Sequence, residues 1–192
     1  MILALAVAGC AARSTSTATN SPPTGPIGRD AGLAAFETVR SVLQHPRCQN
    51  CHPPGDAPLQ GDDGHPHQQN VLRGPAGMGR VGEECSTCHG TANLPASYGL
   101  HVPPGASEGW RMPPPERRLV FVGMSSRSLC EQIQDPKRNG GMDRAALRAH
   151  LDTPLVVWGW DPGNGRAPVP IARPVFLEAW ATWASAGTPC PN

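Results

Sequence analysis

Two short cysteine motifs constrain this chain more than any other part of its sequence. The first reads Cys48-Gln49-Asn50-Cys51-His52 and the second reads Cys85-Ser86-Thr87-Cys88-His89. In a C-x-x-C-H motif, the two thiols add to the two vinyl groups of one haem, and the adjacent imidazole lies beneath the iron. The sequence therefore predicts two covalent haems. Their attachment points would be Cys48, Cys51, Cys85 and Cys88, with His52 and His89 as iron ligands.

Zinc is the alternative for two C-x-x-C pairs, because four thiolates can form a tetrahedral metal site. Three observations disfavour zinc. The two pairs lie further apart than the ~15–20 residues that usually separate zinc-ribbon knuckles. A histidine directly follows each pair, and the chain has the features of an exported protein, where thiolate zinc sites are less expected than in the cytosol.

The composition indicates that such a chain needs a large apolar group to complete its core. Only 39% of the 192 residues are hydrophobic and 5% are aromatic, whereas the chain contains 22 Gly and 23 Pro. Few long elements and much irregular backbone follow, so the polypeptide alone would bury too little apolar surface. We therefore expect a mainly α fold with extensive irregular loops, a small cytochrome c-like domain organised around two covalent haems.

The charges are nearly balanced, with 16 Lys and Arg against 15 Asp and Glu. No run of either sign stands out, so the sequence does not indicate a nucleic-acid-binding protein. A charged docking face for a redox partner is not visible in the composition.

The N-terminus predicts export and attachment to lipid. Residues 1–10 read MILALAVAGC, in which small residues precede Cys10 as they do in a lipoprotein signal. An ordinary signal peptide, or a helix start with a chance cysteine, is the alternative, since no Lys or Arg precedes the apolar run. Residues 11–29 are rich in Ser, Thr, Pro and Gly and predict a flexible tether. The haem domain would then span residues 30–192.

Hydrophobic spacing predicts four helices in this domain. The first begins near Asp30 and carries Leu33, Phe36, Val39 and Leu43 on one face. The others cover about Ser126 or Ser128 to Gln134, about Asp143 to Leu151, and about Pro174 to Ala186. Residues 155–160 predict a short buried segment, and residues 53–84 predict a long loop that wraps a haem.

The residue opposite each proximal histidine would decide the chemistry, because a second His or a Met closes the iron and an open position admits small ligands. We predict His67 for one iron and His150 for the other, with Met112 as the leading substitute. The full set of candidates is His45, His65, His67, His101, His150, Met78, Met112, Met124 and Met142.

The remaining cysteines predict a disulfide. Of the seven, Cys10 is assigned to lipid and four are assigned to haem, which leaves Cys130 and Cys190. In an oxidising compartment, such a pair is most simply bonded.

Four segments resemble a group of small exported bacterial dihaem proteins labelled "isoquinoline 1-oxidoreductase subunit". They read PRCQNCHPPGDAPLQGD, RGPAGMGRVGEECSTCHG, LCEQIQDPKRNGG and PLVVWGWDPGNGRAPVP. The resemblance covers most of the chain after about Asp30 and implies a c-type cytochrome domain. The label points to service to a molybdenum hydroxylase that would lose electrons to the cytochrome. The chain itself has no recognisable molybdopterin or [2Fe–2S] ligand pattern.

These features together predict a dihaem c-type cytochrome, anchored by lipid in the periplasm of a Gram-negative bacterium. It would carry electrons from a dehydrogenase or quinol oxidase to a redox acceptor. The alternatives are a dihaem peroxidase-like enzyme with one open haem and a haem-bearing structural or sensory subunit of a larger complex.

Overall fold

A computed structural model of the protein describes residues 26–192. The signal segment 1–10, the lipidated residue Cys10 and nearly all of the tether 11–29 therefore lie outside the described residues. Residues 26–28 are exposed and have no regular structure, and helix begins at Arg29. Within the described range, no helix has both the length and the apolar character needed to cross a membrane.

The described domain is small and mainly helical, with long loops and a few very short strands, as the composition predicts. Its helices are α1 (Arg29–Leu43), α2 (Pro46–Gln49), α3 (Ser126–Gln134), α4 (Pro136–Asn139), α5 (Arg144–His150), α6 (Pro154–Val157) and α7 (Arg173–Ser185). Single 3-10 turns cover Cys85–Thr87, Ala96–Tyr98, Pro115–Arg117 and Trp158–Trp160. The strands β1 (Leu59–Gln60) and β2 (His65–Pro66) form one antiparallel pair, and β3 (Gly79–Arg80) and β4 (Glu83–Glu84) form another.

The four helices expected from hydrophobic spacing are all present within a residue or two of their expected ends. Gly28 rather than Asp30 is the N-cap of α1. Asp30 lies instead in the first turn, where its negative charge interacts favourably with the positive end of the helix dipole. The two hairpins within residues 53–84 were not predicted, because strands of two residues leave no alternating pattern.

The segment at residues 155–160 differs from the prediction of a buried stretch. It forms α6 and the following 3-10 turn, and most of its side chains are only half-buried, with Val157 exposed. Leu155 and Val156 line a cavity described below, whereas Trp160 packs against the core.

The core lies where α1 packs along α7. Phe36 and Trp183 are almost completely buried, and their ring centroids lie 5.1 Å apart. Trp180 meets Trp183 edge-on with centroids at 5.2 Å, a geometry that favours aromatic pairs. Leu129 of α3 and Leu147 of α5 complete the same hydrophobic cluster.

A disulfide joins α3 to the C-terminal tail. Cys130 and Cys190 are bonded, as predicted, across a sequence separation of 60 residues. In the chain-entropy model, closing such a loop stabilises the fold by about 4 kcal/mol. The indole nitrogen of Trp183 donates to the Pro189 carbonyl at 3.0 Å. The tail is therefore attached to the core by a hydrogen bond as well as by the disulfide.

Gly32 makes this close approach of the tail possible. A Cβ at position 32 would lie 2.5 Å from the Cβ of Ala186 and 2.8 Å from the Cγ of Pro189. The tail therefore rests directly on the backbone of α1.

We expect Gly32→Ala to destabilise the protein although alanine is the better helix former. Overpacking costs about 1–3 kcal/mol, which exceeds the propensity gain of about 1 kcal/mol. Gly55→Ala is the matched control, because a Cβ at Gly55 would meet nothing within 4 Å. Denaturant unfolding of the haem-loaded protein measures both variants. Equal stability of the two variants would contradict the close packing of the tail.

Candidate functional site

The first motif is built on a helical turn that follows α1. Pro46 opens α2, and the His45 side chain caps it by accepting from the Arg47 amide at 3.2 Å. The turn continues through the motif, because the His52 amide donates to the Gln49 carbonyl at 3.0 Å. Residues three apart on such a turn share a face, so the Cys48 and Cys51 thiols lie on one side.

The second motif has the same local form on a 3-10 turn. The Cys88 amide donates to the Cys85 carbonyl at 3.2 Å, and the His89 amide donates to the same oxygen at 2.9 Å. This motif is more open than the first. Cys88 is exposed and Cys85 is half-buried, and most residues flanking the motif are exposed.

The two motif histidines are oriented in the same way. Nδ1 of His52 lies 2.7 Å from the Leu119 carbonyl oxygen, and Nδ1 of His89 lies 2.8 Å from the Pro104 carbonyl oxygen. A carbonyl can only accept, so each Nδ1 carries the proton and donates it. The lone pair is then on Nε2, which is the arrangement of a metal-ligating histidine held by a backbone carbonyl.

An aromatic ring also lies flat against each of these imidazoles. Phe121 stacks on His52 with centroids 4.0 Å apart and planes at 14°. Trp110 stacks on His89 with centroids 4.7 Å apart and planes at 9°. Each ring plane is therefore set by a hydrogen bond at one edge and a stacked aromatic on one face.

The first motif opens into an apolar cavity of about 430 Å³. Such a volume lies within the range of about 300–1,000 Å³ that cofactor and ligand pockets occupy. Cys48, Cys51 and His52 all line it. Its wall is mostly apolar and includes Leu43, Leu119, Phe121, Ile133, Leu147, Leu151, Leu155, Val156 and Trp180.

His150, predicted as a distal ligand, lies in the wall of this same cavity. It is the last residue of α5, a helix capped by the Asp143 carboxylate and anchored in the core by Leu147. Met112, the predicted substitute, also lines the cavity, as does Met142. The structure therefore brings His52 and His150 together at one apolar space, with two thioethers nearby.

His67, the other predicted distal ligand, lies beside His89. Their ring centroids are 6.3 Å apart and their planes are inclined by 55°. Two imidazoles bound on opposite sides of one metal, with bonds of about 2 Å each, would have centroids separated by about 6 Å. Nδ1 of His67 is buried and has no hydrogen-bond partner within residues 26–192.

The β1–β2 hairpin determines where His67 lies. The His67 amide donates to the Pro58 carbonyl at 2.9 Å, directly after β2. Arg47, which precedes the first motif, donates to the Gly61 carbonyl of the hairpin turn at 2.8 Å. Asn50 of the motif donates to the same carbonyl at 3.0 Å. A hairpin that is held in part by the first motif thus places His67 beside His89 of the second motif.

The structure gives most other candidate ligands different surroundings. His45 is the N-cap of α2, and His65 lies 2.6 Å from the Asp63 carboxylate. His101 and Met78 are exposed. Met124 packs against the hydrophobic cluster.

Two buried arginines hold the loops around the first motif. The Arg47 side chain is 2% exposed and pairs with Asp62, and its guanidinium carbon lies 5.7 Å from the centre of the Trp158 ring. The Arg73 side chain is 1% exposed and donates to the carbonyls of Gly55 and Pro113. These contacts hold part of the loop at residues 53–84 close to the first motif.

Burial keeps the histidines neutral. It lowers the pKa of His52 to about 4, and the Leu119 carbonyl only partly opposes this shift. Burial also lowers the pKa of His89, His67 and His150. A neutral imidazole is the form that binds a metal.

Burial acts on the thiols in the opposite direction. It raises the pKa of Cys48 to about 12 and that of Cys51 to about 11. Charge repulsion between the ionised forms of Cys51 and Cys85 adds to the raised pKa of Cys51.

Within residues 26–192, no three His, Cys, Asp or Glu side chains converge closely enough to hold a bare metal ion. The four motif thiols are therefore not arranged in the tetrahedral cluster that a zinc site needs. A haem iron makes no such demand, because the porphyrin supplies four ligands and the protein supplies at most two.

Comparison with protein-family models, with curated proteins and with solved structures found no match to this chain.

Sequence reasoning missed the groups that support the two histidines. The carbonyls of Leu119 and Pro104 leave no trace in sequence, since every residue carries one. Phe121 and Arg73 carried a weak signal, because a lone aromatic or a lone charge in an apolar or Gly- and Pro-rich stretch often has a specific contact. The contact itself depends on the path of the loops.

We expect Arg73→Met to lower the free energy of unfolding by roughly 3 kcal/mol. The substitution leaves the carbonyls of Gly55 and Pro113 without their donor, and it removes a buried charge from its partners. Arg80→Met is the control, since Arg80 is half-exposed and pairs with the exposed Glu83, a type of ion pair that contributes about 0–1 kcal/mol. Chemical denaturation compares the two. A smaller loss for Arg73→Met than for the control would contradict the anchoring role.

Proposed function

We propose that this protein is a dihaem c-type cytochrome that transfers electrons between redox proteins. The observation that carries the proposal is the shared geometry of His52 and His89. Each follows a C-x-x-C pair on a helical turn, donates Nδ1–H to a backbone carbonyl and stacks on an aromatic ring. Such duplication is expected when two sites are built to orient an imidazole toward a metal.

The first haem would occupy the apolar cavity, attached to Cys48 and Cys51. His52 would be its proximal ligand and His150 its distal ligand, with Met112 as the substitute. The apolar wall would exclude water, which tends to favour the reduced, less charged state of a haem and so to raise its potential.

The second haem would be attached to Cys85 and Cys88, with His89 and His67 as its ligands. The 6.3 Å separation of these two rings supports the pairing. Because the surroundings of this motif are exposed, we infer that the second haem is the more accessible one and exchanges electrons with partners.

Haem supplies the one-electron redox step, and the chain supplies attachment, ligands and surroundings. With both irons closed by histidine, no position remains for substrate, and the protein serves as a carrier. The donor would be a dehydrogenase, such as the molybdenum hydroxylase that the resemblance implies, or a quinol oxidase. A lipid at Cys10 would keep the carrier at the membrane surface of the periplasm.

One observation favours the enzyme alternative, a dihaem peroxidase-like protein. Arg111 lines the cavity together with His150 and contributes to the lowered pKa of this histidine, although burial is the larger cause. If His150 stayed off the iron, an imidazole and a guanidinium would face an open position, as general acid–base and charge-stabilising groups do. A high-spin haem that binds carbon monoxide in the wild-type protein would select this alternative.

We expect each cysteine pair to account for one haem. In a host with a c-type haem assembly system, Cys48→Ala/Cys51→Ala and Cys85→Ala/Cys88→Ala should each lower the haem-to-protein ratio from two to one. Pyridine haemochrome absorbance gives the ratio, and Cys130→Ala/Cys190→Ala is the control that keeps both haems. Mass spectrometry of wild-type peptides provides a check that does not depend on variant folding. Motif peptides without attached haem would disprove the proposal.

We expect His150→Ala and His67→Ala each to convert one low-spin haem to high-spin, because each removes one axial ligand. EPR and visible spectra of the ferric protein measure the change. His65→Ala is the matched control for His67, since it lies two residues away and is held by Asp63. Two low-spin haems in either ligand variant would show that the corresponding histidine is not the ligand, and Met112 would be tested next for the first haem.

A further inference from the structure

Trp110 lies between the second motif and a second tryptophan. One face of its indole is stacked on the His89 imidazole, with planes only 9° apart. Trp158 meets the same indole nearly perpendicularly, with centroids at 4.9 Å and planes at 88°. The orientation of His89 is therefore coupled to Trp110, and Trp110 in turn packs against Trp158.

Asn93 holds both supports of His89 together. Its side-chain oxygen accepts from the Trp158 indole nitrogen at 3.1 Å and from the Gly105 amide at 3.2 Å. Gly105 directly follows Pro104, whose carbonyl accepts the Nδ1 proton of His89. One amide side chain thus joins Trp158, the neighbour of the stacked Trp110, to the loop whose carbonyl accepts from His89.

Trp158 also contacts the residue that directly precedes the first motif. The guanidinium of Arg47, which precedes Cys48, lies over its ring at 5.7 Å. Arg47 is in turn fixed by Asp62 and by the Gly61 carbonyl. Successive contacts therefore link Arg47, beside the first motif, to Trp158 and Trp110. They end at His89 of the second motif.

We propose that Trp110 is a positioning residue for the second haem centre, with Trp158 and Asn93 as its support. It holds the His89 plane at its angle to the His67 plane, which is 55°. In a low-spin haem with two imidazole ligands, the angle between the ring planes governs how the iron d orbitals split, and hence the g anisotropy. The aromatic cover also limits water beside the ligand. This inference rests on the proposed function.

The test uses the haem-loaded protein with Trp110→Leu, Trp110→Phe and Asn93→Ala. Trp110→Leu should shift the g values of the second haem and lower its midpoint potential, because the imidazole can turn and water gains access. Trp110→Phe should restore most of the wild-type spectrum, since it keeps a flat ring on His89. Asn93→Ala should shift the spectrum in the same direction, although Asn93 contacts Trp158 rather than His89.

Phe121→Leu is the matched control, because Phe121 stacks on His52. It should alter the signal of the first haem and leave that of the second unchanged. A merely structural role for Trp110 would lower stability without moving the g values or the potential, and that result would overturn the proposal. So would a phenylalanine variant no closer to wild type than the leucine variant.

Haem content separates this proposal from the proposed function. Wild-type protein without haem on the second motif would overturn both. Two haems with an unchanged second-haem spectrum in Trp110→Leu would overturn the role of Trp110 alone.

Discussion

Hydrophobic packing of α1 against α7 is the interaction on which the rest of the structure depends. Phe36 and Trp183 join these helices, and Leu129 and Leu147 add α3 and α5 to the same cluster. Because α2 directly follows α1, this packing also brings the first C-x-x-C-H motif to the edge of the core. Several side chains of this same cluster also line the cavity beside that motif. A chain with so few hydrophobic residues thus concentrates them at one place.

Polar contacts then organise the loops that the hydrophobic core does not reach. Arg47 and Arg73 donate to loop carbonyls while almost completely buried, and unpaired carbonyls at such positions would be costly. The loops in turn present the carbonyls of Leu119 and Pro104 to the two motif histidines. Orientation of the imidazoles is therefore a product of loop paths rather than of regular secondary structure.

The two sites share their local design but differ in their surroundings. The first motif faces an apolar cavity lined by helices and loops, whereas the second lies among exposed residues and is supported by Trp110. In the proposed carrier, one haem would be enclosed and the other open to partners. Such inequality would give the two proposed centres different potentials, because burial and exposure influence a haem potential differently.

The sequence by itself predicted the four longer helices and the Cys130–Cys190 disulfide. These follow from local spacing and from elimination among seven cysteines, and neither requires knowledge of distant contacts. His67 and His150 were predicted as the distal ligands, and the structure brings each one close to a motif histidine, although ligation itself stays a prediction. Only the tertiary structure decided which motif each of them lies near and which candidates, such as His45 and His65, have other contacts. The physical reason is that these outcomes depend on the paths of the Gly- and Pro-rich loops. Contacts between residues far apart in the chain, made by buried arginines, backbone carbonyls and stacked rings, determine those paths.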